Sequence, residues 1–289
     1  MTFRFGIDEL LGSAELLQSL RSRQVALVAH PASVTCDLQH ALDSLIQQGV
    51  KVNRAFGPQH GMRGDKQDNM IESADYLDPT HGIPVISLYG EHRFPTQEML
   101  ADIDVVLFDL QDVGCRIYTY ITTLKYFLEA CGNADVELWV LDRPNPAGRP
   151  VDGLRLEVGQ ESFVGCDTLP TRHGLTTAEL AQWLVAKHQL PVRLKTIKMI
   201  DYQPTMGPGY GWPLQQRPWV NPSPNASSLN MSRCFPGTVL LEGTELSEGR
   251  GTTVPLEIIG APDFPATEIL DYLQGQRPDW LQGVFLRPC

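Results

Sequence analysis

Five short apolar runs recur through the first half of the chain, with helix-like stretches between them. They are "VALVAH" from Val25, "VNRAFG" from Val52, "IPVISLYG" from Ile83, "DVVLFDL" from Asp104 and "VELWVLD" from Val136. The intervening "DLQHALDSLIQQG" and "YTYITTLKYFLEACG" carry apolar residues at helical spacing and end in glycine. This alternation predicts an α/β fold, a Rossmann-like parallel sheet with helices on both faces. At 289 residues the chain exceeds the usual single domain. We therefore expect a Rossmann-like domain over 1–155 and a smaller α+β domain over 156–289.

The smaller unit is expected to contain the helix "TTAELAQWLVAKHQ", started by Thr176 or Thr177 with Glu179 in its first turn, and the strand "VRLKTIKM". The N-terminal "MTFRFGIDELLGSAELLQSL" reads as an amphipathic helix. The stretch "DYQPTMGPGYGWPLQQRPWVNPSPN" is too rich in Pro and Gly for long regular structure, so it suits a lid or binding loop. There Trp212 and Trp219 would either stack on a sugar or base or pin the loop to the core. The chain stops at "GVFLRPC", directly after a strand-like segment, so the smaller domain is expected to be truncated at its C-terminus.

Ligands of open α/β sheets sit outside the carboxyl ends of the strands. Here each run ends in polar residues: "HPAS" from His30, "GPQHGMRGD" from Gly57, "YGEHRFP" from Tyr89, "DLQDVGCRIYTY" from Asp109 and "DRPNPAG" from Asp142. These loops would bring His60, Arg63, Asp65, Glu91, Arg93, Asp112, Arg116, Asp142, Arg143 and Asn145 toward one crevice. The competing reading is structural, with Asp109 and Asp142 capping helices or holding turns.

The formal net charge of −11 argues against nucleic acid as a partner, because that affinity rests on neutralising phosphates with Lys and Arg. No apolar run approaches the ~20 residues that span a bilayer, so no membrane partner is expected. The N-terminus lacks secretory features and the six cysteines form no C-x-x-C pair, which together predict a cytoplasmic protein with free thiols. Cys115 beside Arg116 is a weak nucleophile candidate, with no His paired to it in the local sequence. The histidines lack metal-ligand spacing, and no Walker or dinucleotide loop follows the first run, so neither metal nor cofactor is expected.

Carboxylates are plentiful instead. Asp65, Glu91, Asp112 and Asp142 come from the sheet edge, and Glu242, Glu245 and Glu248 from "LLEGTELSEGRGTT" at 240–253. Cleaving a glycosidic bond usually needs two such groups, one as acid and one as base or nucleophile. A metal hydrolase built on Asp65, Asp112, Asp142 and His60 is the alternative. Arg116, Arg143 and Arg250 could each hold a substrate carboxylate by a two-pronged hydrogen bond, or pair internally.

Seven motifs carry a family likeness: "FGPQHGMRGD", "IPVISLYGEHRFPTQEML", "DVVLFDLQDVGCRIYTYITT", "LDRPNP", "RHGLTTAEL", "WVNPSPN" and "LLEGTELSEGRGTT". In this order, across nearly the whole chain, they resemble the exo-β-N-acetylmuramidase (NamZ-like) family. The resemblance implies a Rossmann-like domain joined to a smaller one, and an active site in the cleft between them. It also implies removal of N-acetylmuramic acid from the non-reducing end of peptidoglycan-derived saccharides. The lactyl carboxylate of that sugar would give the arginines a task.

The family commonly carries Glu where this chain has Gln59, and glutamine cannot act as a carboxylic acid. Glu91 and Asp65 are then the nearest replacements, with Glu242 and Glu248 from the other side. The alternative is a muramic-sugar-binding protein with altered or no turnover. The remaining expected binding residues are Gln59, His60, Arg63, Asp112, Arg116, Tyr118, Asp142, Arg143, Asn145, Asn221, Asn225 and Arg250, with Glu245 orienting Arg250.

Overall fold

A computed structural model describes residues 3–64, 72–205 and 211–289. Its strands are β1 (Val25–Ala29), β2 (Val52–Gly57), β3 (Tyr76–Leu77), β4 (Pro84–Ser87), β5 (Val105–Asp109), β6 (Glu137–Leu141), β7 (Asp152–Arg155), β8 (Pro170–Arg172) and β9 (Arg193–Ile197). Seven of them form one sheet in the order β3-β4-β2-β1-β5-β6-β9, parallel throughout except for β3 against β4. The five expected runs are β1, β2, β4, β5 and β6. β1 and β5 are buried along their whole length, as central parallel strands covered on both faces must be. The expected strand "VRLKTIKM" forms as β9, but it is not part of a smaller sheet. It pairs with β6 from Glu137–Arg193 to Leu141–Ile197 and closes one edge of the main sheet.

The helices are α1 (Gly6–Gly12), α2 (Ala14–Arg21), α3 (Ala41–Gln47), α4 (Gln97–Leu100), α5 (Tyr120–Ala134), α6 (Thr177–His188), α7 (Leu229–Thr238) and α8 (Ala266–Gln276). The N-terminal segment, expected as one helix, is two. Ser13 is extended and its hydroxyl accepts from the Leu16 amide, so it ends α1 and caps α2. At α6 the expected cap forms in full. Thr176 accepts from the Glu179 amide, and the Glu179 carboxylate accepts from the Thr176 amide. The strand expected near "GVFLRPC" is absent, and Phe285 there is fully exposed.

One face of the sheet packs Val106 and Phe108 against Leu124 and Phe127 of α5 and Leu180 and Leu184 of α6. The opposite face packs Val25 and Leu27 against Ile7, Leu20 and Leu42 from α1, α2 and α3. A third, smaller cluster joins Val113 and Cys115, from the loop after β5, to Met231 and Phe235 of α7 and to Val239 and Leu256. Through that cluster the C-terminal portion rests on the carboxyl edge of the sheet.

The Pro-rich stretch is strapped down over its described residues. Trp212 Nε1 donates to the Arg217 carbonyl and Trp219 Nε1 to the Ala226 carbonyl, and the two indoles stand 5.0 Å apart. Trp212 also meets Phe5 edge to face. The buried Arg217 donates to Asp8 of α1 and lies over the Phe5 ring. Both tryptophans thus pin the segment.

Candidate functional site

A cavity of about 230 Å³ opens outside the carboxyl ends of β2, β4 and β5. Gln59 and His60 reach it from the loop after β2, Tyr89 from the loop after β4, and Ile117 to Tyr120 from the loop after β5. Phe163 and Val164 come from the arm between β7 and β8. Ser223 to Ala226 come from the end of the strapped segment, and Glu242, Arg250 and Leu256 from the C-terminal portion. The floor is apolar, built from the third core cluster, and the polar groups stand around it.

On one wall the Thr119 hydroxyl donates to Oε1 of Gln59 at 3.2 Å. Behind it, the Tyr120 hydroxyl donates to the Pro222 carbonyl at 2.8 Å, with the Gln59 carbonyl 3.4 Å away. Tyr118 and Tyr120 meet edge to face at 4.6 Å, and burial pushes both phenols up, so they serve as neutral hydroxyls. His60 holds a left-handed backbone conformation, φ 74°, beside Gly61 at φ 78°. Such a conformation in a non-glycine residue is uncommon and concentrates at functional sites.

On the other wall Arg250 lies between two carboxylates. Its Nη2 is 2.5 Å from Glu242 Oε1 and its Nε is 2.6 Å from Glu248 Oε1. Glu242 is the one carboxylate among the described cavity-lining residues. Glu248 sits behind the arginine and is nearly covered. Glu245 is exposed and makes no ion pair with Arg250, so the expectation that it orients that arginine is replaced by Glu242 and Glu248.

Several other expected site residues have structural partners. Arg143 is buried and donates Nε and Nη2 to Asp109 at 2.6 and 2.9 Å. Asp142 accepts from the amides of Arg143 and Ala178 and from the Thr176 hydroxyl, which anchors the start of α6; burial raises its pKa to about 6. Asn145 shapes its own turn by accepting from the Ala147 amide and donates to the Leu175 carbonyl. Arg63 binds Asp43 and Asp78 at 2.9 and 3.0 Å, away from the cavity. Arg116 donates to the carbonyls of Leu154 and Leu169, fixing the β7–β8 arm.

Asp112 lies behind Tyr120, its Oδ2 accepting from the Gly114 amide and facing His173 Nε2 at 3.2 Å. Glu91 projects into solvent, 91% exposed, and Asn221 is exposed outside the cavity. Asp65 lies outside the described residues. Cys115 is buried in the third cluster, and burial lifts its thiol to about 12, which removes it as a nucleophile at neutral pH. For the metal alternative, no group of three or more His, Cys, Asp or Glu among the described residues could hold an ion.

Of the expected residues, then, Gln59, His60, Tyr118, Asn225, Glu242 and Arg250 meet at one cavity. Thr119, Tyr120 and Tyr89 were missed, although they stand inside the quoted motifs "CRIYTY" and "LYGEHR". Phe163 and the apolar floor carry no local signal that separates them from core.

An apolar-floored cavity with a carboxylate–guanidinium pair on its wall, at the carboxyl edge of a parallel sheet, defines an α/β protein with a small polar-ligand site. Residues 25–230 match the family described as exo-β-N-acetylmuramidase NamZ, N-terminal, and residues 233–289 match the family of its C-terminal portion. The chain belongs to the exo-β-N-acetylmuramidase NamZ family.

A relative, the peptidoglycan β-N-acetylmuramidase NamZ of Bacillus subtilis (strain 168), is 40% identical over 284 residues. That stretch is 98% of this chain and 66% of the relative, so the chain spans just under two thirds of that protein's length. Two crystal structures of DUF1343 family proteins from Bacteroides fragilis NCTC 9343 are also similar. One superposes with a TM-score of 0.84 at 34% identity, over 94% of this chain and 69% of its own. The other gives 0.76 at 29% identity, over 91% and 68%. Among the described residues no helix is long and apolar enough to cross a membrane.

Proposed function

We propose that this chain is an exo-acting glycosidase that removes terminal N-acetylmuramic acid from the non-reducing end of peptidoglycan fragments. Family membership and the name of the Bacillus subtilis relative support the reaction class. The observation that carries the reading in this chain is the meeting of Glu242 and Arg250 with Gln59, His60 and Tyr118 at one cavity. Its volume is below the ~300 to 1,000 Å³ of drug-sized sites, which suits a single terminal sugar.

Glycoside hydrolysis usually uses a proton for the departing oxygen and a carboxylate on the opposite side of the anomeric carbon. Glu242 is our assignment for that carboxylate, held in place by Arg250, with Glu248 steadying the arginine from behind. Gln59 faces the sugar as a hydrogen-bonding amide, fixed by Thr119. Tyr118 and Asn225 donate to sugar hydroxyl or acetamido groups. The six free cysteines favour a reducing compartment, and we place the reaction in the cytoplasm.

The test is release of 4-nitrophenol from its β-N-acetylmuramide, with the Bacillus subtilis relative as positive control. Release by this chain supports the assignment. Gln59 favours one second reading, a protein that binds the sugar without turnover; saturable binding with no release by this chain would establish that instead.

A further inference from the structure

A muramic sugar differs from its uncharged relatives by a carboxylate on a short ether arm, and a protein of net charge −11 must meet that group locally. The arginines first considered for this task are committed elsewhere. Arg143 is engaged by Asp109 and Arg116 by two carbonyls, while Arg250 already lies between Glu242 and Glu248. A third carboxylate at Arg250 would face the repulsion of the two already there.

Arg93 is placed differently. Its guanidinium carbon lies 4.2 Å from the centroid of the Tyr89 ring and 5.2 Å from that of Phe163. Those two rings, 6.1 Å apart, both line the cavity, one from the loop after β4 and the other from the β7–β8 arm. Among the described residues, the one carboxylate within ion-pair distance of Arg93 is Glu72, at 3.6 Å and 64% exposed. An exposed pair of that kind is worth at most about 1 kcal/mol and exchanges readily. A guanidinium packed against two aromatic rings is restricted in its motion and still offers N–H donors in a planar fork, which the point charge of Lys could not reproduce.

We propose that Arg93, packed against the lining rings of Tyr89 and Phe163 but outside the lining itself, is the specificity residue that recognises the carboxylate arm of the sugar where that arm extends past the two rings. The identity of that sugar rests on the glycosidase reading above. Arg116 takes part indirectly, since it pins the arm that carries Phe163.

The experiment compares two probes, 4-nitrophenyl β-N-acetylmuramide and its lactyl methyl ester, on the wild type, Arg93→Gln and Arg93→Lys. The readout is the ratio of kcat/KM for acid over ester, which a general loss of folded protein leaves unchanged. We expect the wild type to prefer the acid roughly 10- to 100-fold, the range of a charged hydrogen bond. Arg93→Gln should bring the ratio near one, and Arg93→Lys should fall between. A wild type indifferent to esterification, or an Arg93→Gln protein that keeps the preference, overturns the proposal. If the wild type releases nitrophenol from neither probe, the glycosidase reading fails. The ratio of dissociation constants for the same two probes then decides the role of Arg93 by the same criteria.

Discussion

Thr119 holds the side chain of Gln59 at the cavity wall by donating its hydroxyl hydrogen to Oε1 across 3.2 Å. A carboxylate oxygen accepts that bond equally well, so the wall is already shaped for Glu at this position. Gln59→Glu would add an ionisable proton without a change of shape, and general acid catalysis contributes on the order of 10²- to 10⁴-fold. We expect kcat on a β-linked N-acetylmuramyl–N-acetylglucosamine disaccharide, whose sugar leaving group needs that proton, to rise at least tenfold with little change in melting temperature. An unchanged or lower kcat would remove position 59 from the acid role.

Glu242 and Glu245 lie three residues apart but face different surroundings, one on the cavity wall beside Arg250 and the other in solvent. Glu242→Gln should lower kcat by about 10²-fold or more, while Glu245→Gln should leave it within a factor of two. Glu248→Gln should act through Arg250, with a smaller loss of kcat. Steady-state kinetics of the three variants, each checked by circular dichroism, would settle the order; equal losses at 242 and 245 would contradict it.

The buried pair of Arg143 with Asp109 governs stability rather than substrate binding. Removing the cation in Arg143→Ala leaves a buried carboxylate whose protonated form burial already favours, at a cost of about 3–5 kcal/mol. The midpoint of urea unfolding should fall accordingly, while KM of the folded fraction stays the same. A selective rise in KM would return Arg143 to the binding site.

Asp142 gives a pH dependence of defined sign. Burial raises its folded pKa to about 6, above the unfolded value of 3.8. The folded state therefore holds the proton over that interval while the unfolded state loses it. The stabilisation is complete below about pH 4 and is lost as pH rises through about 6. Asp142→Asn removes this titration. The stability difference, wild type minus variant, should fall by about 2–3 kcal/mol between pH 4 and 6.5 and be level above that. A flat difference in denaturant titrations at four pH values would refute it.

The sheet was legible because β1, β2, β4, β5 and β6 are each short β-branched runs with turn residues after them. β9 was legible as a strand but not as a neighbour of β6, since its edge position depends on α6 returning the chain to the far side of the sheet. In the site, polarity at the strand ends was a true signal with two meanings. Gln59 and Tyr118 turn toward the cavity, whereas Arg143, Asp142 and Asn145, from an equally polar loop, satisfy buried groups and a helix start. Composition cannot separate these cases, because an arginine suited to a substrate carboxylate is equally suited to Asp109. Glu242 lies far along the chain from Gln59, and only the ordered motifs suggested that the two would meet.

The third core cluster packs Val113 and Cys115 against Met231, Phe235, Val239 and Leu256, and those last four also line the cavity floor, so one cluster joins the two portions of the chain and underlies the site. Neither portion by itself offers a ligand more than an open half-wall. Under the proposed glycosidase reading, turnover and attachment of the C-terminal portion are one property, so a substitution that loosens Phe235 should blunt turnover before it unfolds the sheet.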